Sequence, residues 1–206
     1  MSTEDARLDA AAALRDLNHV FTAHDADEDV LAALARDIRV QVATLETAPM
    51  RDRLALMRSR RGESPFMAGS GFEDRAVGGR ANPGAVDLYV RFEPEAVVAD
   101  VTFRKAFEGA PGRAHGGIVA AAFDDVTGFV IGQLQEPSFT GELTVRYIAP
   151  VPVDTPLEMR ARLVGRERRK LFIEAELHDR NTLVATCKAI YIKVDPSKFA
   201  GFPDPR

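Results

Sequence analysis

The sequence predicts an α+β fold: an antiparallel sheet of about six strands wrapped around one long apolar helix, with a helical extension in front. Three observations lead there. Hydrophobic periodicity is near 3.6 over roughly the first sixty residues and changes to 2 after Pro83. His115 to Leu134 offers about twenty alanine-rich residues of helix with few charges. Alternating stretches flank that helix, two before it and four after it.

From Ala6 to about Arg60 apolar residues recur at helical spacing, first Leu8, Ala12, Leu14 and Leu17, then Val30, Leu31, Leu34, Ile38, Val42 and Leu45. These are read as an amphipathic pair of helices. The solvated run His24-Asp-Ala-Asp-Glu-Asp29 joins them, its acids favouring a second helix that starts near Glu28. A third short helix is expected around Pro49 to Arg60. Arg61 to Pro83 carries Gly62, Pro65, Gly69, Gly71, Gly78, Gly79 and Pro83, too many breakers for a long helix or a regular strand, and reads as a linker. Ala85 to Phe92 and Val97 to Phe103 then make a hairpin about Glu93-Pro94-Glu95-Ala96. After the central helix come Phe139 to Ile148, Leu157 to Gly165, Lys170 to Asp179 and Leu183 to Val194 as strands. The expected division is 1–80 for the arm and linker and 81–206 for the sheet-and-helix domain. Unpaired strand edges invite a second copy, so a homodimer is expected, with a dimer of dimers as a further arrangement.

At 206 residues the chain can bury a core without disulfide or metal staples, and 46% apolar with 28% charged residues keeps it away from the disordered class. A net charge of −4 offers no global positive field to a phosphate backbone. The first 80 residues hold 11 Arg and no Lys against 14 acids, so they supply no basic recognition helix and nucleic acid is not an expected partner. Cys187 stands alone, and His19, His24, His115 and His178 lack metal-ligand spacing, so neither a metal nor a bound cofactor is expected. The amino terminus lacks the basic tip and apolar run of a secretory signal. The longest uncharged stretches, Ala114 to Phe123 and Val126 to Gln135, fall short of the ~18 apolar residues of a membrane span. A soluble cytoplasmic protein without a membrane partner is the expectation. There is no Gly-x-Ser-x-Gly elbow and no Walker sequence; Gly69-Ser-Gly71 and Gly109-Ala-Pro-Gly112 lack the context of a phosphate cradle and read as turns.

Three motifs occur in order: Phe107-Glu-Gly-Ala-Pro-Gly-Arg-Ala-His-Gly-Gly-Ile-Val-Ala-Ala-Ala-Phe-Asp124, Thr140-Gly-Glu-Leu-Thr-Val-Arg-Tyr-Ile-Ala-Pro-Val-Pro152, and Arg169-Lys-Leu-Phe172. Together they resemble the hotdog-fold acyl-CoA thioesterases of the PaaI-like group. The likeness covers about Val86 to Val194 and leaves the first eighty residues unexplained. It implies a sheet wrapped around a helix, dimers with active sites at the subunit interface, and hydrolysis of acyl-CoA thioesters, a reaction of fatty acid metabolism. Coenzyme A would belong to the substrate rather than act as a cofactor.

The candidate residues follow from both sources. His115-Gly116-Gly117 opens the central helix, where two missing side chains allow close approach and unpaired N–H groups suit a developing oxyanion. The resemblance gives the polarising amide to Gly117, sets Gly116 beside the substrate, and has His115 hold the loop rather than move protons. Asp124 has Ala120, Ala121, Thr127 and Gly128 on neighbouring turns; the residues alone allow a buried structural acid or a reactive carboxylate. The family's catalytic carboxylate lies nine residues after the histidine, which is Asp124, as general base or as nucleophile through an anhydride. Asp125 points about 100° away and is expected to be structural or interfacial. Thr140 is an ordinary strand residue by propensity and, by resemblance, a holder of the attacking water. Arg166, Arg168, Arg169 and Lys170 form either a solvated turn or a cationic mouth for phosphates. The resemblance puts Arg146, Ile148, Arg169, Lys170, Leu171 and Phe172 at the nucleotide end. Some branches carry Asn or Gln six residues before the histidine, where this chain has Gly109. Phe123, Phe129, Phe139 and Phe172 suit a pocket or the core equally. The competing readings are a hotdog enoyl-CoA hydratase or dehydratase and a non-catalytic acyl-CoA sensor.

Overall fold

A computed structural model describes residues 2–52 and 73–195. Two helices come first, α1 (Thr3–Ala23) and α2 (Glu28–Glu46), followed after the connection by β1 (Asp87–Glu93) and β2 (Ala96–Thr102). A 3-10 turn at Lys105–Phe107 leads to α3 (Gly116–Leu134), and β3 (Ser138–Tyr147), β4 (Pro156–Glu167), β5 (Lys170–Asp179) and β6 (Thr182–Lys193) complete the chain. The expected strands agree with these to within two residues. Residues 53–72, which take in most of the expected third helix, the first half of the expected linker and Gly69-Ser-Gly71, lie outside the described residues.

The six strands form one antiparallel sheet in the order β1-β2-β4-β5-β6-β3, curled around α3. Alternation sets the inner face: on β4, Leu157, Met159 and Ala161 point in while Glu158, Arg160 and Arg162 point out. Register then aligns a row of small or branched residues across the sheet, Val97, Ala161, Ala175, Cys187 and Val145, low enough for a helix to lie close. Val119, Ala122, Phe123 and Val126 of α3 are fully buried in that core. Among the described residues α3 is the one helix long and apolar enough to cross a membrane, a property the uncharged runs taken separately did not show. Here it is the core helix, apolar on most of its circumference because sheet surrounds it.

The described part of the expected linker is not a free tether. Glu73 to Pro83 is a chain of turns closed on itself, with Ala81 N–H on the Glu73 carbonyl at 2.6 Å and the Asn82 amide on the Arg75 carbonyl at 3.0 Å. Gly79 is required there: a Cβ would meet the Arg75 nitrogen at 2.3 Å.

A capping box between Ser2 and Asp5 starts α1. One face of the helix then docks on the domain. Arg15 donates to the carbonyls of Arg80 and Asn82 at 2.8 and 2.9 Å, and Asp16 pairs with Arg104 at 2.6 Å. His19 is 3% exposed, its Nδ1 accepts the Ala106 N–H at 3.1 Å, and its ring meets Phe107 edge-on at 5.2 Å. Because Nδ1 accepts, the neutral ring carries its hydrogen on Nε2, which is buried without a hydrogen-bond partner; charging the ring would put a second proton on Nδ1 against the Ala106 N–H and bury the charge. Burial first, then the charge of Arg104, holds the His19 pKa below its usual 6.5; Arg15 acts the same way and Asp87 and Asp154 oppose. A depressed folded pKa means the docking contribution is whole above about pH 6.5 and is lost as pH falls through the lower folded value. The His19→Ala variant should therefore lose about 1–2 kcal/mol against wild type in urea unfolding near pH 8, where it leaves the Ala106 N–H unpaired. The gap should shrink near pH 5.5; a gap that stays constant with pH would refute this coupling.

Candidate active site

The approach to α3 is tightly braced. Gly109 N–H donates to the Arg113 carbonyl at 2.8 Å, and His115 N–H donates to the Phe107 carbonyl at 2.8 Å. A Cβ at Gly109 would stand 3.0 Å from His115 Cα, so a side chain at this position would have to push against the histidine that begins the helix. Gly109 to Gly112 is a turn, with the Arg113 N–H on the Ala110 carbonyl at 2.8 Å and Gly112 at φ 73°.

His115 is the N-cap of α3. Its Nδ1 accepts the Gly117 N–H at 3.1 Å, and its carbonyl accepts from Ile118 and Val119 at 2.9 and 3.1 Å. The geometry thus gives His115 the work of holding the helix start. It also shows that the Gly117 amide is not an open donor here, since the imidazole already occupies it; a ligand oxygen at Gly117 has to take the place of that nitrogen. No hydrogen bond engages the Gly116 N–H among the described residues. The Tyr147 hydroxyl donates to the Gly116 carbonyl at 2.5 Å, and a Cβ on Gly116 would come within 3.2 Å of it.

Asp124 is half-buried on the same helix, and its Oδ1 accepts the Thr140 hydroxyl at 2.8 Å. The two residues are brought together by a β-bulge. The β3 register shifts between Thr140 and Glu142, leaving Gly141 unpaired, and a Cβ on Gly141 would meet Ile192 at 2.8 Å. Such a bulge re-aims the side chain before it. Thr140 Oγ1, which the Tyr191 hydroxyl also approaches, keeps lone-pair capacity beside Asp124 Oδ2, an arrangement able to hold a water against a carboxylate.

Asp125 faces away, as the 100° step requires. Its carboxylate meets Arg75 at 3.4 Å, and Gly78 packs so closely that a Cβ there would reach Asp125 Oδ2 at 2.6 Å. Arg75 also lies over the Phe129 ring at 4.5 Å. Burial raises the Asp125 pKa, with Arg75 opposing. This acid has a structural partner that a scan of neighbouring sequence could not supply.

The nucleotide-end candidates are not brought together. Arg146 and Ile148 are exposed near the Tyr147 end of β3; Lys170 lies across β6 from Phe139, near its Ser138 end. Six residues of strand separate the two groups, roughly 20 Å. Arg169 donates to the Lys193 carbonyl at 3.1 and 2.8 Å, and Arg166 pairs with Glu136. Leu171 needs a correction: its side chain is fully buried beneath the helix, because alternation turns it inward between exposed Lys170 and half-buried Phe172. Phe123 and Phe129 are core, whereas Phe139 is exposed on the β3 edge.

Three further residues approach Asp124. Burial, helped by the Asp124 charge, pushes the Cys187 thiol up to about 12, so it stays protonated and is no nucleophile. Tyr191 and Thr127 sit under the Asp124 main chain; helix spacing already puts Thr127 beside Asp124, whereas Tyr191 reads in the sequence as an ordinary core residue of a strand. No cluster of three or more potential metal ligands occurs among the described residues.

The model of the thioesterase superfamily matches residues 111–186, from the turn before α3 into the first half of β6. That segment is similar to the thioesterase superfamily. Acyl-coenzyme A thioesterase THEM4 of Mus musculus is 32% identical over 93 residues, 44% of this chain and 40% of that protein. Acyl-coenzyme A thioesterase THEM5 of Homo sapiens is 34% identical over 92 residues, 42% of this chain and 36% of that protein. The matches thus span about two fifths of those relatives' length. A crystal structure described as that of a thioesterase superfamily protein superposes with a TM-score of 0.77 at 21% identity, covering 91% of this chain and 90% of that one. The fold likeness therefore runs through nearly the whole chain, and the matched segment contains His115, Gly116, Gly117, the Asp124–Thr140 pair and the Arg166–Lys170 turn.

Proposed function

We propose that this chain hydrolyses acyl-CoA thioesters to the free acid and coenzyme A. The observation that carries this reading is the Asp124–Thr140 pair at 2.8 Å, set on a helix whose glycine start can take a carbonyl oxygen. Asp124 acts as general base. Its free oxygen takes a proton from a water held by Thr140, the water oxygen attacks the thioester carbon, the C–S bond breaks, and the thiolate leaves with the proton. The oxyanion rests on the α3 start, where a lost amide donor typically costs about 10² to 10³ in rate. Attack by the carboxylate itself through an anhydride uses the same residue.

Helix geometry makes the site an interface. Gly117 lies seven residues before Asp124, about 10 Å along the axis, so one thioester cannot touch both within one chain. Antiparallel pairing of two β3 edges about a two-fold axis sets each helix start toward the other chain's carboxylate. It also brings the Arg146 end of one chain to the Lys170 end of the other, collecting the cations that one chain holds apart. A homodimer is therefore part of the proposal, in keeping with the exposed Phe139, Tyr147 and Ile148 on that edge.

One preparation tests the reading. The purified chain should have the mass of two copies or a multiple of two, and it should release free thiol from some member of a panel of short, medium, long and aromatic acyl-CoAs. A stable monomer would remove the interface site, and no thiol release from any member would remove the activity.

A further inference from the structure

We propose that Tyr191 is a positioning residue for the Asp124–Thr140 pair, a role that rests on the thioesterase reading. Tyr191 is a buried residue of β6 and stands opposite Thr140 in the β3–β6 register. Its hydroxyl reaches across to α3, donating to the Asp124 carbonyl at 3.1 Å and meeting Thr127 Oγ1 at 2.9 Å. Thr127, itself fully buried, donates back to the helix at the Phe123 and Asp124 carbonyls, 2.8 and 3.1 Å away. Gly128 leaves the helix bare at this point; a Cβ there would lie 3.7 Å from the phenol oxygen.

Proton accounting gives the arrangement its direction. Each hydroxyl has one proton, and the helix carbonyls and the carboxylate can only accept. Thr127 spends its proton on the helix, leaving its oxygen to accept, and the one Tyr191 proton is shared between Thr127 Oγ1 at 2.9 Å and the Asp124 carbonyl at 3.1 Å. Burial pushes the phenol up to about 12, so it remains a donor throughout the neutral range. Tyr191 therefore ties the main chain carrying the base to the strand position that faces the water-holding threonine. Tyr191 also meets the Thr140 side chain, so it acts through the pair rather than on the substrate.

The Tyr191→Phe variant removes only the hydroxyl. It should lower kcat on the best acyl-CoA about tenfold with KM within about twofold, because the base is misaimed while the binding surface is intact. Thr127→Val should do the same, Thr127→Ser should recover most of that loss, and the Tyr191→Phe/Thr127→Val double variant should be no slower than the slower single one. Unfolding curves report the folded fraction in each case. A kcat within twofold of wild type in folded Tyr191→Phe, or a loss that only follows the unfolded fraction, would overturn the role. Should Tyr191→Phe fail to fold, the comparison of Thr127→Val with Thr127→Ser decides it. Absence of turnover in the wild-type control would remove the thioesterase reading and this role with it, and is recognised because it appears before any substitution is made.

Discussion

Asp124→Asn should reduce kcat for acyl-CoA hydrolysis by about 10² to 10⁴ and leave the fold unchanged. The amide is the same size as the carboxylate, and its oxygen can still accept the Thr140 hydroxyl that lies 2.8 Å from Oδ1. What it cannot do is take a proton from water. Packing under the residue is carried by its neighbours Ala122, Phe123 and Val126, all fully buried, while Asp124 itself is only half-buried. The urea midpoint should therefore stay with wild type while turnover collapses. Retention of more than a tenth of wild-type kcat by a folded Asp124→Asn protein would show that another group acts as base. His115 is the neighbour to suspect first, and its imidazole is occupied by the Gly117 N–H.

The elements could be read from the sequence because each one's pattern is local. Alternation over Lys170 to Asp179 marks β5 to the residue, and the run His115 to Leu134 marks α3 with its cap. Strand order could not be read in the same way. β3 follows α3 in the chain yet lies on the outer edge of the sheet beside β6, a pairing fixed by the whole curl around the helix. The site shows the same divide. The nine-residue spacing led to Asp124, but an aromatic on a strand reads as core, so Tyr191 gave no sign that its hydroxyl reaches α3. Arg75 sat unnoticed in a glycine-rich stretch because its partner is 50 residues away. Leu171 was legible and passed over: the alternation that makes β5 a strand already turns it away from Lys170. The capping of Gly117 was half legible, since a helix start needs an acceptor and His115 stands at the N-cap.

Asp125→Ala should show the opposite phenotype to its neighbour. The carboxylate is 13% exposed and its guanidinium partner 26%, so removing the acid takes a close negative charge from a partly buried cation. Breaking a buried pair from one side costs about 3–5 kcal/mol, and because a quarter of Arg75 can still reach water the cost falls below that range, to about 2–3 kcal/mol in urea unfolding. Gly78 packs directly on this carboxylate, a Cβ there reaching Oδ2 at 2.6 Å, so removing the acid opens a gap under the turn. Turnover per folded molecule should stay within a few-fold of wild type, because Asp125 points away from Thr140. Acidity separates the pair from an ordinary salt bridge. Burial raises the Asp125 pKa above 3.8 in the folded state, so the native protein holds this proton more tightly than the unfolded chain does. The group's contribution is therefore whole below the usual carboxylate range and declines as pH rises through the raised value. In Arg75→Leu the decline should be steeper, because the cation that opposes the raised pKa is gone. Wild-type stability in Asp125→Ala, or a gap between Arg75→Leu and wild type that narrows as pH rises, would show that the ion pair does not hold the Glu73 to Pro83 turns against α3.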